Sequence, residues 1–465
     1  MSSPNPSSDA ALTALFASDE SRDEFDLDPL ACPGVFYPTL AADGVLSRIR
    51  TPGGLLTARQ CRLLAAIAET FTGGQTRITN RANVQLRELE DRLPDVVLHR
   101  MQREGLASSE PLTDHLRNVM ASPLAGLDPS ALLDTRPLVA AIVEYLRTHP
   151  RLAALPAKFS IGLDGGERAS IAAFPNDVLL RAMPSGLRVL LRLGVEDEDR
   201  ADLGLSLATS EVVPFIAALA DWYVEALPVG GSKPRLRQLV AEQGVEAMRA
   251  ALIERVPSLV VDGTIVPAAS TVVGRAPIGA QAQHDDGRVT VGLAPRLDGW
   301  SSAQLRALAE VAERFGSGEL RLSPWRTVLV PGVSIDAVDA VNEALEAVGL
   351  SARERLLIDG IVACVGSAGC ASGGADTVRD ASKLAALLEG RAGIPASVHF
   401  SGCAKRCAQR RPAGVTLIGS VERPDTYDIF ASGRLEAAGV TADAAVSIAE
   451  RLCVNAQRSG ASSMV

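Results

Sequence analysis

Nowhere in these 465 residues does an apolar run reach the roughly 18 residues needed to cross a bilayer, so no membrane span is expected. Positive charge is not in excess either. The net charge is −9, which argues against a nucleic-acid or membrane-surface partner, since such binders carry surplus Lys and Arg. The first residues lack the basic and apolar stretches of a secretory leader, so a cytoplasmic protein with reduced thiols is expected. Residues 1–29 are rich in Ser, Pro, Asp and Glu and read as a disordered acidic tail. Histidine is scarce, five residues in all, and His99, His115, His149, His284 and His399 show no paired metal spacing. His399, four residues before Cys403, reads as a satisfied structural histidine. The Gly-rich stretches at 162–166 and 366–369 lack the strand–GxGxxG–helix setting of a dinucleotide site. No built-in NADH or flavin site is therefore expected, and electrons come from a separate donor protein.

What the chain does have is seven cysteines, four of them in two close pairs: Cys364-x5-Cys370 and Cys403-x3-Cys407, set among Gly and Ser. Paired cysteines without a secretory context read as metal ligands rather than disulfides. The spacing differs from the C-x2-C pairs usual for structural zinc, which makes a cluster with four Cys ligands the better reading. Cys32, Cys61 and Cys453 are scattered and carry no assigned role. Apolar content of 47% and charged content of 22% fit a globular protein, and the length suggests about three domains.

The chain also repeats itself. At one constant offset, Gln60, Arg62, Leu64, Glu69, Phe71 and Gly74 meet Gln304, Arg306, Leu308, Glu313, Phe315 and Gly318. Beyond them Arg77-Ile78-Thr79 meets Arg321-Leu322-Ser323, and Val84 meets Val328. Leu64, Ile67, Ala68 and Phe71 recur at helical spacing, as do Leu308, Ala309, Ala312 and Phe315. Thr57 and Ser301 or Ser302 suit the N-caps. Short apolar stretches at 45–49, 84–89, 289–293 and 327–330 predict two strand–helix–strand–strand units, half a mixed sheet each, reassembled about a pseudo-twofold axis. Between them, helices are expected at 136–147, 210–226 and 234–254, with strands at 158–163, 169–173 and 187–194. After the second copy, a helix at 378–389 is expected, capped by Thr377 and stopped by Gly390, with a last helix at about 442–457.

These residues resemble the nitrite/sulfite reductase superfamily over about residues 30–455. The resemblance implies an α+β fold: two ferredoxin-like half-domains joined about a pseudo-twofold axis, at 30–107 and 266–345. Two α/β domains accompany them, at 108–265 and 346–465, the latter binding the cluster. It also implies that Cys364, Cys370, Cys403 and Cys407 hold a 4Fe–4S cluster, with Cys407 nearest any tetrapyrrole. In the reductases that tetrapyrrole is sirohaem, an octacarboxylate. Within the superfamily, residues 48–54, 78–87, 155–159, 321–326 and 401–405 look like the precorrin-3B synthase branch.

The anion site of sulfite reductases uses two arginines and two lysines. By resemblance Arg81, Arg117 and Lys158 are the matching catalytic cations here, while Ser160 stands where the second lysine would be. A bound tetrapyrrole would meet Arg50, Arg77, Arg81, Asn83 and Gln85, because Arg–carboxylate recognition is bidentate and amides can bond a pyrrole edge. Alternation places Arg48 and Arg50 on one strand face, and Arg77 with Thr79. Arg87 shares the same half-domain. Arg326 falls one position after the Arg81 equivalent, which is Trp325. The implied reaction is oxygen-dependent hydroxylation and lactonisation of precorrin-3A, a monooxygenase chemistry with dioxygen as co-substrate and NADH or NADPH as ultimate reductant. A mononuclear iron is a further possible cofactor. The alternatives are a sirohaem-dependent nitrite or sulfite reductase and a non-catalytic tetrapyrrole carrier or electron-transfer protein.

Overall fold

A computed structural model describes residues 33–194, 199–229, 233–268, 276–285, 287–294, 297, 299–350, 360–388, 397–411 and 413–461. The expected acidic tail, Cys32 and the Gly390 stop lie outside these. The first half-domain runs β1 (Thr39–Ala41), β2 (Gly44–Ile49), β3 (Leu55–Thr57), α1 (Ala58–Phe71), β4 (Gln75–Ile78), β5 (Val84–Leu89) and α2 (Asp95–Arg103). An α/β domain follows, with β6 (Val119–Ala121), α3 (Arg136–Arg147), β7 (Ile161–Asp164), β8 (Val178–Met183), β9 (Gly186–Arg192) and β10 (Arg200–Leu207). Its outer layer is α4 (Val212–Glu225), α5 (Leu236–Gln243) and α6 (Val245–Arg255), with edge strands β11 (Val260–Val261) and β12 (Val266–Pro267).

The second half-domain comprises β13 (Gly279–Ala282), β14 (Arg288–Leu293), β15 (Trp300–Ser301), α7 (Ser302–Phe315), β16 (Glu319–Leu322), β17 (Val328–Ser334) and α8 (Val338–Glu346). The last domain contains β18 (Ile361–Ala363), α9 (Thr377–Leu388), β19 (Val398–Ser401), β20 (Val415–Gly419), β21 (Thr426–Ala431), β22 (Arg434–Thr441) and α10 (Ala442–Ala461).

The two half-domains are related as the repeat predicts. Thr57 and Ser301 both close capping boxes, with Gln60 and Gln304, so the same sequence signal starts both long helices. Helices α1 and α7 pack on each other within one shared core that includes Leu64, Ile67, Leu308 and Ala312. Arg62 pairs with Glu313, and the symmetry-related Arg306 pairs with Glu69. Each half also lends an edge strand to the other: Trp300 pairs with Thr76 in the first sheet, and Leu320 with Leu56 in the second. The sheets are antiparallel throughout rather than mixed. The tight turn from Thr79 to Asn83, closed by the Thr79 N–H on the Asn83 carbonyl at 2.8 Å, leaves no room for a parallel crossover.

The two α/β domains form a second duplicated pair, which the sequence did not reveal. In both, the first two strand pairings are parallel and the next two antiparallel: β6–β7–β8–β9–β10 and β18–β19–β20–β21–β22. A helix sits between the first two strands, and another follows the fifth. Some local expectations need correction. Helix 234–254 is two helices, because Gly244 turns the chain at φ 93°. The stretch 169–173 is a loop, not a strand. There Ala172 N–H and Ser170 Oγ both donate to Asp164, at 2.9 and 2.5 Å, and satisfy it locally. The N-terminus of α9 is capped by Asp376, whose carboxylate accepts from the Arg379 N–H at 3.1 Å, and not by Thr377.

Candidate functional site

The four paired cysteines sit on two loops that leave adjacent parallel strands. Cys364 follows β18 and Cys403 follows β19, so the strand register brings both loops to one sheet end. A knot of glycines lets the loops approach. A Cβ on Gly366 would fall 2.5 Å from the Ala375 carbonyl, and one on Gly402 would fall 3.2 Å from both Gly366 Cα and Gly373 Cα. Gly402 N–H donates to Cys364 Sγ at 3.1 Å, and Lys405 Nζ bridges the loops to Ser372 Oγ at 3.0 Å. Thr377, buried below, donates its hydroxyl to the Cys364 carbonyl at 2.7 Å.

All four thiols are unbridged. Partial desolvation raises the Cys407 thiol, and the neighbouring thiolates of Cys403, Cys364 and Cys370 raise it further. Four crowded thiolates call for a cation that neutralises them. Four thiols gathered from two loops at one sheet end match the ligand set of a group bound by four sulfurs, the 4Fe–4S cluster. Cys61 and Cys453 are buried elsewhere, with thiols pushed up to about 12 and about 11 by burial, and are inert there.

A cleft leads away from these thiols between the last domain and the first half-domain. Its larger part, about 340 Å³, runs from Cys364, Cys407 and Ala408 past Trp300, Trp325 and Arg326 to Arg77, Thr79, Arg81, Asn83, Gln85 and Arg87. A second cavity, about 170 Å³, shares Arg48, Arg81 and Asn83 with it and adds Arg50, Asn118, Ala157, Lys158 and Arg235. The described lining therefore holds eight cations (Arg48, Arg50, Arg77, Arg81, Arg87, Lys158, Arg235, Arg326) and no carboxylate. Behind the lining Arg50, Arg87 and Arg235 are each paired with an aspartate, Asp114, Asp43 and Asp177, yet in a chain of net charge −9 such a concentration of cations suits an anionic occupant.

The predicted residues Arg50, Arg77, Arg81, Asn83, Gln85 and Lys158 thus line one cleft together. Arg117 lines neither cavity; it donates to Gly105 O at 2.7 Å and Asp114 at 3.2 Å. Arg87 is committed to structure, because it forks onto Asp43 at 2.8 Å and reaches the Gly369 carbonyl at 2.5 Å, tying the cluster loop to the first sheet. Arg326 holds the Ala408 carbonyl at 2.9 Å beside Cys407, and desolvation lowers its pKa to about 10. Ala82 and Arg326, at equivalent places in the two repeats, both adopt left-handed backbone, φ 56° and 67°. Such strain in non-glycine residues marks a constrained functional turn.

His399 is fully buried but not satisfied: neither ring nitrogen has a hydrogen-bond partner among the described residues. Burial, then Arg326 and Arg406, lower its pKa to about 3, so it stays neutral.

The symmetry-related positions are apolar instead. Leu329 stands in place of Gln85 and Trp325 in place of Arg81, and both pack with Leu124 and Ala169. Trp325 also meets Phe174 edge-on at 4.8 Å. Sequence reasoning did not single out Trp300, Asn118 or Arg235, which reach the cleft only through the fold.

Residues 40–99 and 281–348 match the nitrite/sulfite reductase ferredoxin-like half domain, and residues 113–259 match the nitrite and sulphite reductase 4Fe-4S domain. That last stretch contains no cysteine; the thiols lie in its topological twin. The chain is 30% identical to a ferredoxin–nitrite reductase of Leptolyngbya laminosa, covering 90% of this chain and 86% of the relative. It is 28% identical to a precorrin-3B synthase of Sinorhizobium, covering 87% and 83%. The fold superposes on the Mycobacterium tuberculosis NirA protein with a TM-score of 0.73 at 23% identity, covering 88% and 80%. Duplicated half-domains, twin α/β sheets and a thiol-ended cationic cleft thus accompany sequence likeness along most of the chain: it belongs to the nitrite and sulphite reductase family of oxidoreductases.

Proposed function

We propose that this chain acts on a carboxylate-rimmed tetrapyrrole as a precorrin-3B synthase, hydroxylating precorrin-3A with dioxygen and closing the lactone. The observation that carries this reading is the cleft itself: eight cations and no carboxylate among its described lining, ending at Cys364 and Cys407. Guanidinium groups match carboxylates bidentately, and their number suits a many-armed acid better than a small oxyanion alone. The likeness to the Sinorhizobium precorrin-3B synthase over most of both chains supports it. In the reaction one oxygen atom enters the macrocycle and the other leaves as water, with two electrons and two protons supplied from outside. A bound 4Fe–4S cluster supplies those electrons singly, which dioxygen needs before it reacts with a closed-shell ring. The chain's own part is to hold the ring, through Arg48, Arg77 and Arg81, with its edge toward the cysteines.

The donor is a small acidic redox protein of the ferredoxin kind, which links the chain to NADH or NADPH. The basic run Lys405, Arg406, Arg410 and Arg411 beside Cys407 supports this, as do the relatives named for ferredoxin. A second reading, ferredoxin-dependent nitrite reduction with sirohaem, rests on the 30% relative. The deciding experiment incubates anaerobically reconstituted protein with precorrin-3A, reductant and 18O-labelled dioxygen. One labelled oxygen in the product is expected. A strong Soret band in the purified protein together with nitrite turnover, and no labelled product, would replace the first reading by the second.

A further inference from the structure

The smaller cavity contains a cation that the sequence motifs do not point to. Arg48, Arg50, Arg81, Lys158 and Arg235 share about 170 Å³ with Asn83 and Asn118, and no carboxylate lines it. Arg235 reaches the cavity from the residue preceding α5 in the first α/β domain. Its placement is built. One Nη donates to Asp177 Oδ1 at 2.8 Å, and the other oxygen of that carboxylate accepts from Ser160 Oγ at 2.9 Å. Ser160 and Asp177 are both buried and line neither cavity, so the pair acts as a bracket behind the arginine. Arg235 Nε is also buried and has no hydrogen-bond partner among the described residues.

A guanidinium fixed at one Nη by a buried carboxylate, in the wall of a cavity that holds five cations and no carboxylate among its described lining, has further N–H donors to offer an acceptor. We infer that Arg235 is an anion-binding residue of the cleft, held in place by the Ser160–Asp177 bracket, and that its ligand is a two-oxygen anion. The ligand chemistry is shared by two sources, a carboxylate arm of a tetrapyrrole and a small oxyanion. The inference rests on the proposed function for the first source only.

The test uses the full chain with its cluster reconstituted, and two probes: uroporphyrin III, an octacarboxylate tetrapyrrole, and sodium nitrite. Arg235→Ala should weaken at least one probe tenfold or more, Arg235→Lys should recover part of the loss, and added methylguanidinium should rescue the Ala variant. Loss for uroporphyrin alone identifies the carboxylate arm, and loss for nitrite alone identifies the small oxyanion. Asp177→Asn should give a smaller loss that methylguanidinium does not rescue. The inference is overturned if Arg235→Ala binds both probes within twofold of the parent. It is equally overturned if its loss comes with a lowered melting temperature and neither lysine nor methylguanidinium restores binding. A parent that binds neither probe defeats both this inference and the tetrapyrrole reading. A parent that binds both while Arg235→Ala matches it defeats the inference alone.

Discussion

Replacing Arg81 with alanine isolates what one guanidinium contributes to the cleft. Arg81 lines both cavities, and one Nη lies 3.3 Å from Asn176 Oδ1, a long bond at the cavity wall. A hydrogen bond between charged partners contributes about 2 kcal/mol, which is a loss of about 30-fold in affinity at roughly 1.4 kcal/mol per factor of ten. The fold should bear the change. Asn176, although buried, keeps its amide on the Phe174 carbonyl at 3.4 Å and near Met120 sulfur at 3.7 Å. The cost to stability is then about 1 kcal/mol for one unsatisfied amide oxygen. Titrating uroporphyrin III while following tryptophan emission suits the site, because Trp300 and Trp325 both line it. A dissociation constant within threefold of the parent would refute the assignment of Arg81 to the ligand.

Cys407→Ser should abolish assembly of a complete cluster, read as a loss of iron and acid-labile sulfide per chain; stoichiometric retention would remove Cys407 from the ligand set. Gly366→Ala forces a Cβ to within 2.5 Å of the Ala375 carbonyl at a backbone φ of 65°, so iron content should fall sharply. An unchanged iron content would show that the loops reach the cluster without that turn. Glu167 is buried, and burial, aided by Asp164 and Asp128, lifts its carboxyl to about 8. A raised folded-state value means its contribution to stability is present below the usual carboxyl range and is lost as pH climbs through about 8. Glu167→Gln should therefore raise the melting temperature at pH 9 and leave it nearly unchanged at pH 5, and parallel pH profiles for the two proteins would contradict this.

The half-domains were legible because duplication leaves matched residues on one register: Gln60 and Gln304 close the capping boxes of equivalent helices, and Arg62 and Arg306 each pair with a glutamate of the other repeat. The cysteine loops were legible because thiols are rare and closely spaced. The duplication of the α/β domains was hidden. Its two copies share a strand order while their loop chemistry diverged, Asp164-Gly165-Gly166 across the end of β7 against Ser401-Gly402-Cys403 across the end of β19. Strands β8 and β10 gave no alternating signal to read, because Val178, Leu179, Leu180 and Arg200, Ala201 are buried in succession. Arg235 was illegible for another reason. Its role depends on Asp177, 58 positions away, and no local pattern encodes such a meeting.

The exchanged edge strands bear on the history of the chain. Because β15 completes the sheet of the first half and β3 that of the second, a polypeptide carrying a single copy would have had one open sheet edge and one strand with nowhere to dock. Two such polypeptides embracing one another would satisfy both needs, but identical copies would carry identical turns. In the joined chain the copies differ, with Trp325 and Leu329 standing where the other repeat has Arg81 and Gln85, an asymmetry open only to halves that share one polypeptide.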